Sequence, residues 1–173
     1  MSDTLVTIVA IGLAAVLMFV FPLMTMSDRT DDVSKLTVET ATTEFVDEIR
    51  TTGKITPEKY SKFLENIGST GNTYDVEMEV KVKDENPGKK TTQTAKDKIG
   101  ENVYYSVYTS QIQEKLNSDQ PYKLKEGDIV SVDVKNTNQT LSQQLKNFFY
   151  SVVGKDTYTI AASHAGIVTA TGK

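Results

Sequence analysis

The sequence predicts an α+β protein, with a long N-terminal transmembrane and amphipathic helix followed by a small head of about three antiparallel strands and packing helices. Residues 4–27 carry no charge, and beyond them apolar residues recur at steps of three and four. These two features predict the helix. From residue 54 onward, alternating strands and capped amphipathic helices follow one another, which predicts the head.

Composition narrows the classes of function. The 173 residues include no cysteine, so a disulfide scaffold, a thiolate metal site and a cysteine nucleophile are excluded. The net charge is −4 with acids and bases mixed, and no nucleic-acid partner is expected. The 23 threonines suit solvent-facing strands and lean toward a secreted domain.

The uncharged run between Asp3 and Asp28 is 24 residues long, and about 20 apolar helical residues cross a bilayer. A cleaved signal peptide is the alternative, but the start "MSDT" has no base and "PLMTMSD" is a poor cleavage site. We therefore expect an uncleaved membrane helix over residues 1–27, bent by its proline. The residues expected to face lipid or neighbouring helices are Leu5, Ile8, Val9, Leu13, Val16, Leu17, Phe19, Val20 and Pro22.

The side of the membrane on which the head lies is read from flanking charges. A strict count of Arg29 and Lys35 against no bases before the run places the head inside. The short N-terminal flank and the threonine-rich head argue for the opposite side. We expect an extracytoplasmic head on a single-pass membrane protein.

An amphipathic stalk helix is expected over residues 28–53. Apolar residues follow one helical stripe, and Gly53 offers a C-cap. One helix could then run from Thr4 to Thr52, with a break near residues 27–32. The residues expected to seat the head on the stalk are Val33, Leu36, Phe45 and Ile49.

The head, residues 54–173, begins with a short helix that Thr56 caps and Pro57 starts. Its expected buried face is Tyr60, Phe63, Leu64 and Ile67. An alternating strand follows, with Tyr74, Val76, Met78, Val80 and Val82 on one side. Residues 89–102 are polar and are expected to form a mobile loop.

The second half of the head predicts a strand that passes into a helix at residues 110–116, and then a strand containing Val130, Val132 and Val134. A capped helix is expected over residues 140–153, and a strand of small residues over 157–172. The residues of the capped helix expected to point inward are Leu141, Leu145, Phe148, Phe149 and Val152.

The sequence contains no pattern of catalytic residues. His164 is the single histidine, and its neighbours Ser163 and Ala165 offer it no partner. The acid pairs Glu77/Glu79 and Asp128/Asp133 could bind calcium or serve as acid and base, but interleaved lysines are typical of a solvated strand face. Three tyrosines, Tyr104, Tyr105 and Tyr108, indicate a small core or an interface. We expect no enzyme activity, cofactor, metal or small-molecule substrate.

The layout of a membrane helix, a stalk and a small α+β head resembles the type IV pilin superfamily. The passage "TTEFVDEIRTTGKITPEKYSKFLENIGSTGNTYDVEMEV" is similar to the segment after the membrane helix in TadE-like pilins of tight-adherence systems. The position of Pro22 is similar as well. The resemblance implies a membrane-held subunit whose apolar helix packs with copies of itself or with other pilin-like subunits.

The family's early helix glutamate is missing from the apolar run, so the resemblance implies an accessory rather than a major subunit. We expect a non-enzymatic pilin-like component of a bacterial surface filament or secretion apparatus. The alternative is a single-pass tethered module whose extracytoplasmic head binds a partner. Self-association through the N-terminal helix separates the two.

Overall fold

The computed structural model describes residues 2–84, 104–150 and 160–172. Ser2–Ala15 form helix α1 and Phe21–Thr52 form helix α2, with a π-helical segment, Val16–Val20, between them. The remaining helices are α3 (Pro57–Gly68), α4 (Thr109–Asn117) and α5 (Leu141–Tyr150). The strands are β1 (Lys54–Ile55), β2 (Tyr74–Lys83), β3 (Tyr104–Tyr108), β4 (Tyr122–Lys123), β5 (Ile129–Asn136) and β6 (Ala161–Ile167).

Four of these strands form an antiparallel sheet in the order β3-β2-β5-β6, and β1 pairs with β4 in a separate ribbon. Val80 of β2 lies opposite Val130 of β5, and Val132 of β5 lies opposite His164 of β6. Apolar residues alternate along β2 and β5, so one face of the sheet is apolar and buried. The α+β fold is as predicted. The sheet has one strand more than the expected count of about three, although each of its four strands falls in a segment predicted as strand, and the short ribbon was not predicted.

The C-terminal half of α2, which we call its upper half, lies across the buried face of the sheet and forms the core with it. Phe45 of α2 stacks on Phe63 of α3, with ring centroids 4.4 Å apart. Val38, Val46 and Ile49 are fully buried in the same cluster. The long helix is therefore part of the head's core along its upper turns, as well as a connection to it.

Several local predictions are confirmed. The Thr56 hydroxyl accepts a hydrogen bond from the Lys59 amide, which caps α3. Strand β3 passes directly into α4 at Thr109, as the sequence predicted. Leu64 is the exception on α3, since it is 38% exposed and lies at the border of the buried face. The expected loop 89–102 lies outside the described residues, as do residues 157–159 of the predicted last strand.

The predicted inward face of α5 is wrong for two residues. Leu141 and Phe148 are 54% and 78% exposed, whereas Ser142 and Gln143 are buried. The physical reason is that α5 packs on a polar stretch of α2, so its polar face provides the contact. The side chain of Phe149, and Val152, lie outside the described residues.

The long N-terminal helix and its junction with the head

Helix Asp3–Thr52 has 50 residues and is long and apolar enough to cross a membrane, and its most apolar window is not buried inside the protein. At 1.5 Å per residue it measures about 75 Å. Eight of the nine residues expected to face lipid or neighbouring helices have exposed side chains, and the ninth, Val20, is half-buried. Within the described residues, this helix is the single candidate span.

The helix is interrupted at Val16–Val20, and not at residues 27–32, which are regular α-helix. Pro22 explains the position of the interruption. It has no amide proton for the carbonyl of Met18, and its ring crowds that carbonyl. The turn before Pro22 widens into a π-helical segment, which is a recognised cause of helix kinks.

The residues of α2 that meet the head follow steps of three and four. Phe45 and Ile49 are buried, as predicted. Val33 and Leu36 are wrong, because they are 65% and 64% exposed on the other side of the helix. In the part of α2 nearest the apolar run, the residues that face the head are polar. A prediction of the buried face from apolar residues alone therefore misses them. The buried set is Ser27, Asp31, Ser34, Val38, Ala41, Thr42, Phe45, Val46 and Ile49.

This polar stretch joins α2 to the start of α5. The Thr140 hydroxyl donates to Asp31 Oδ2 at 2.6 Å and accepts from the Gln143 amide at 3.2 Å. The Ser142 hydroxyl donates to Asp28 Oδ1, and Lys146 Nζ lies 2.6 Å from the same oxygen. Each acid therefore has a partner more than 100 residues away in the chain, and only the fold brings them together.

The two carboxyls at this junction have opposite electrostatic environments. Hydrogen bonds from Lys146 and then Ser142 hold the pKa of Asp28 below its ordinary value. Burial raises the pKa of Asp31, and the hydrogen bond from Thr140 only partly opposes the rise. The charged form of Asp28 is thus stabilised by its partners, whereas burial makes the charged form of Asp31 less favourable than it would be in water.

A second junction joins the C-terminal end of α2 to β6 and to the C-terminal segment. Gly53 adopts a left-handed conformation, φ +65°, and its amide donates to the Ile49 carbonyl at 2.8 Å. Arg50 Nε donates to the Ile167 carbonyl at 3.0 Å, and the Thr169 amide donates to the Arg50 carbonyl at 2.9 Å. The C-terminal segment therefore fastens the top of the helix to the sheet.

His164 lies beside this upper junction. It is half-buried on β6, and its Nε2 is 3.8 Å from Asp47 Oδ1. Asp47 also accepts from Arg50 Nη1 at 2.7 Å. The three groups join β6 to α2.

The acid pairs lie in different places. Glu77 and Glu79 are on the outer face of the sheet with Asp133, along an open groove of about 510 Å³. Ser106 Oγ donates to Glu79 at 2.7 Å. Among the described residues, no three His, Cys, Asp or Glu side chains are grouped so as to hold a metal ion.

Asp128 is separate from these acids and has a structural environment. It is buried, and its two carboxylate oxygens accept from the amides of Lys83 at 3.0 Å and Lys125 at 2.8 Å. These bonds tie the end of β2 to the turn before β5. Sequence reasoning grouped Asp128 with Asp133, whereas the structure assigns it a role in holding the backbone.

The three tyrosines lie on β3, at one edge of the sheet, and their side chains are exposed. Tyr104, Ser106 and Tyr108 lie on the same face of the sheet, and Tyr105 lies on the other face. They do not form a small core, so of the two uses that the sequence indicated, an interface is the one compatible with this exposure.

No protein-family model, curated protein or solved structure matches this chain. The fold and the exposed helix define its class without such a match. It is an α+β protein with one N-terminal helix that is long and apolar enough to span a membrane.

Proposed function

We propose that this chain is a non-enzymatic, pilin-like structural or accessory subunit of a bacterial surface filament or secretion apparatus. One observation carries the proposal. A single helix of 50 residues is apolar and uncovered over its first half and forms part of the head's core over its second half. A subunit built this way can be held in a bilayer by the first half and later pack that half against sister helices.

The outer side of the stalk supports the filament interpretation. Val33 and Leu36 are exposed apolar residues of the stalk, on the side of α2 away from the head. A helix that served only as a tether would need no apolar residues on this side beyond the membrane. In a filament they would be buried by neighbouring subunits, at about 25 cal/mol for each Å² of apolar surface removed from water.

Before assembly, Leu5–Met26 hold the subunit in the bilayer with the head on the extracytoplasmic side. During assembly the helix leaves lipid and packs against helices of other subunits. Its side chains then exchange lipid contacts for protein contacts, so close packing supplies the stabilisation there. The polar contacts at Asp28 and Asp31 keep the head fixed to the stalk during this transfer.

A tethered binding module is the second candidate, and the exposed tyrosines on β3 favour it. Tyr104, Tyr105 and Tyr108 could contact a protein or a glycan at the β3 edge of the sheet. In this case the helix is only an anchor, and the isolated protein should be monomeric in detergent. A filament subunit should associate with copies of itself through the N-terminal helix.

Location and intact mass in the native cell separate these candidates. We expect the protein in the surface-sheared fraction with its apolar helix retained, which would mean that the helix had moved from lipid into an assembly. Full-length protein found only in membranes would favour the tethered module. Loss of roughly the first 25 residues would make the run a signal peptide, and the filament proposal would then be wrong.

Two sets of variants separate membrane insertion from assembly. The double variant Val9→Lys/Val16→Lys should lose membrane recovery, because each lysine costs about 2.5–3.5 kcal/mol at the centre of a span. Val33→Lys is the matched control outside the run. It should keep membrane recovery and lose self-association, measured by crosslinking in membranes. Unchanged crosslinking of Val33→Lys would contradict the packing assigned to this face.

A further inference from the structure

Helix α5 exposes two large apolar side chains that the core does not explain. Leu141 and Phe148 are 54% and 78% exposed, and their spacing of seven places them on one side of the helix, with Leu145 between them. Its buried side carries Ser142 and Gln143. The polar side of α5 thus packs on protein. An apolar stripe, defined by Leu141, Leu145 and Phe148, runs along another side, with Leu141 and Phe148 exposed and Leu145 half-buried.

The position of α5 along the stalk indicates what covers this stripe. Its N-cap, Thr140, bonds Asp31, whereas Ser142 and Lys146, further along α5, both bond Asp28. As α5 proceeds, its partners on α2 therefore move toward the apolar run. Asp28 lies two residues, or about 3 Å, beyond Met26. Phe148 lies two residues after Lys146 on α5, so it lies beside the end of the apolar run of the long helix.

The part of the apolar run nearest to Asp28 is partly covered. Ser27 is buried, and Met24 and Val20 are half-buried, whereas most of the apolar run is exposed. The spacing of these three residues continues the face that bears Asp31. The covered face of the helix therefore extends below the stalk into the run.

We infer that α5 is an interfacial helix, which lies at the surface of a lipid bilayer and places Leu141, Leu145 and Phe148 at the boundary between headgroups and acyl chains. The inference rests on the membrane-anchor part of the proposed function and adds a second lipid contact to it. An amphipathic helix binds a bilayer in this way by burying its apolar side about 5–10 Å into the interface. Phenylalanine and leucine are typical of that side.

The charges at the junction suit such a surface. Lys146 pairs with Asp28, so the carboxylate nearest the run is neutralised. Asp31 is buried and bonded to Thr140, and burial raises its pKa. Of the two acids facing α5, one is therefore paired with a lysine and the other is buried away from lipid headgroups. The contact would fix the tilt of the head relative to the membrane, because two points of attachment define an orientation that one helix leaves free.

The test uses the fact that the chain has no tryptophan. Four single variants of the full-length protein each introduce one: Phe148→Trp, Leu141→Trp, Phe19→Trp within the run, and Ile167→Trp on β6. Ile167 is exposed and bonds Arg50, which is 24 residues, or about 36 Å, along the helix from Met26. Each variant is reconstituted in phosphatidylcholine vesicles, with and without lipids brominated on the acyl chains, after circular dichroism has confirmed unchanged secondary structure.

Brominated lipid should quench tryptophan emission in the order of depth. We expect the greatest fractional loss for Phe19→Trp, a loss within about twofold of it for Phe148→Trp, a smaller loss for Leu141→Trp and essentially none for Ile167→Trp. The emission of Phe148→Trp should also shift to shorter wavelength on reconstitution. This order follows from the descent of α5 toward the run.

Each other outcome overturns the inference in a distinguishable way. Quenching of Phe19→Trp without quenching of Phe148→Trp would leave the anchor intact and place α5 away from lipid. A blue shift of Phe148→Trp without quenching would mean that protein, such as a second copy, covers the stripe. Absence of quenching at Phe19→Trp would remove the membrane anchor itself, and the inference with it.

Discussion

The glycine that ends the long helix lies against the C-terminal segment, and alanine at this position should detach the two. Gly53 has φ +65°, a left-handed conformation that side chains rarely adopt. A Cβ built on Gly53 would lie 2.3 Å from the carbonyl oxygen of Ala170 and 2.4 Å from the amide nitrogen of Gly172. Both are backbone atoms, so the segment itself would have to move.

Two costs make up the expected loss of stability for Gly53→Ala. The left-handed conformation costs a residue with a Cβ about 1–2 kcal/mol. Moving the C-terminal segment breaks the backbone hydrogen bonds around the helix end, and three such bonds contribute about 3 kcal/mol together. The free energy of unfolding should therefore fall by about 4–5 kcal/mol. The bonds are Leu124 N to Gly53 O at 2.8 Å, Gly172 N to Leu124 O at 2.9 Å and Thr169 N to Arg50 O at 2.9 Å.

Two other glycines separate these costs in the same assay, urea unfolding followed by circular dichroism in detergent. Gly71 has φ +78° and open space around it, so Gly71→Ala should lose only the conformational part, about 1–2 kcal/mol. Gly68 lies at the end of α3 with a helical backbone and open space. Gly68→Ala should be neutral or stabilising by up to about 1 kcal/mol.

The difference between Gly53→Ala and Gly71→Ala measures the close approach of the C-terminal segment. Equal losses for the two variants would mean that the helix end has room for a Cβ, which contradicts the close approach at Gly53. A deletion of residues 170–173 provides a further check. It should remove most of the difference between alanine and glycine at position 53, since the atoms that the Cβ meets are then absent.

Three further predictions concern the stalk and the buried acids, and the same urea titration tests them. Ile49→Ala should lower the free energy of unfolding by about 2–5 kcal/mol, whereas Leu36→Ala, on the exposed side, should change it by less than about 0.5 kcal/mol. Asp31→Asn should be at least as stable as wild type near neutral pH and lose that advantage in acid. The folded-state pKa of Asp31 is raised, so wild type loses stability as the pH rises from the ordinary value of 3.8 through the folded pKa. Asp128→Ala should cost about 2–4 kcal/mol, because two buried amides lose their acceptors, and Asp128→Asn, with one oxygen, about half of that.

For each of these predictions, one experimental outcome would contradict it. Equal losses for Ile49→Ala and Leu36→Ala would mean that the head-facing side of α2 is misassigned. A gain from Asp31→Asn that grew as the pH fell would show that the carboxylate is stabilised as an anion. Equal losses for Asp128→Ala and Asp128→Asn would mean that the two backbone contacts are not what makes the carboxylate necessary.

Much of the fold follows from local patterns. Three features depend only on residues that are close together in the sequence. They are the cap at Thr56, the alternation along β2 and the change from strand to helix at Thr109. Such features depend on backbone preference and on periodicity, both of which the sequence displays directly. The Phe45 and Ile49 contacts were predictable for the same reason, since they are large apolar residues at helical spacing.

The errors on α2 and α5 share one physical cause. Apolar side chains were assumed to face protein, so Val33, Leu36, Leu141 and Phe148 were expected to be buried. In the structure the two helices meet through hydroxyls, carboxylates and Lys146. A buried polar contact is favourable only when both partners are present, and nothing local to α2 indicates that its partner is polar.

An uncharged helical run long enough for a bilayer, an amphipathic continuation and an α+β head could all be predicted from the sequence alone. Charge and period along one segment are sufficient for those conclusions. Which side of the stalk meets the head, and which side of α5 remains apolar and exposed, became evident only in the folded protein. The burial of Asp31 depends on Thr140, 109 residues away, and a contact of that separation is set by the whole fold.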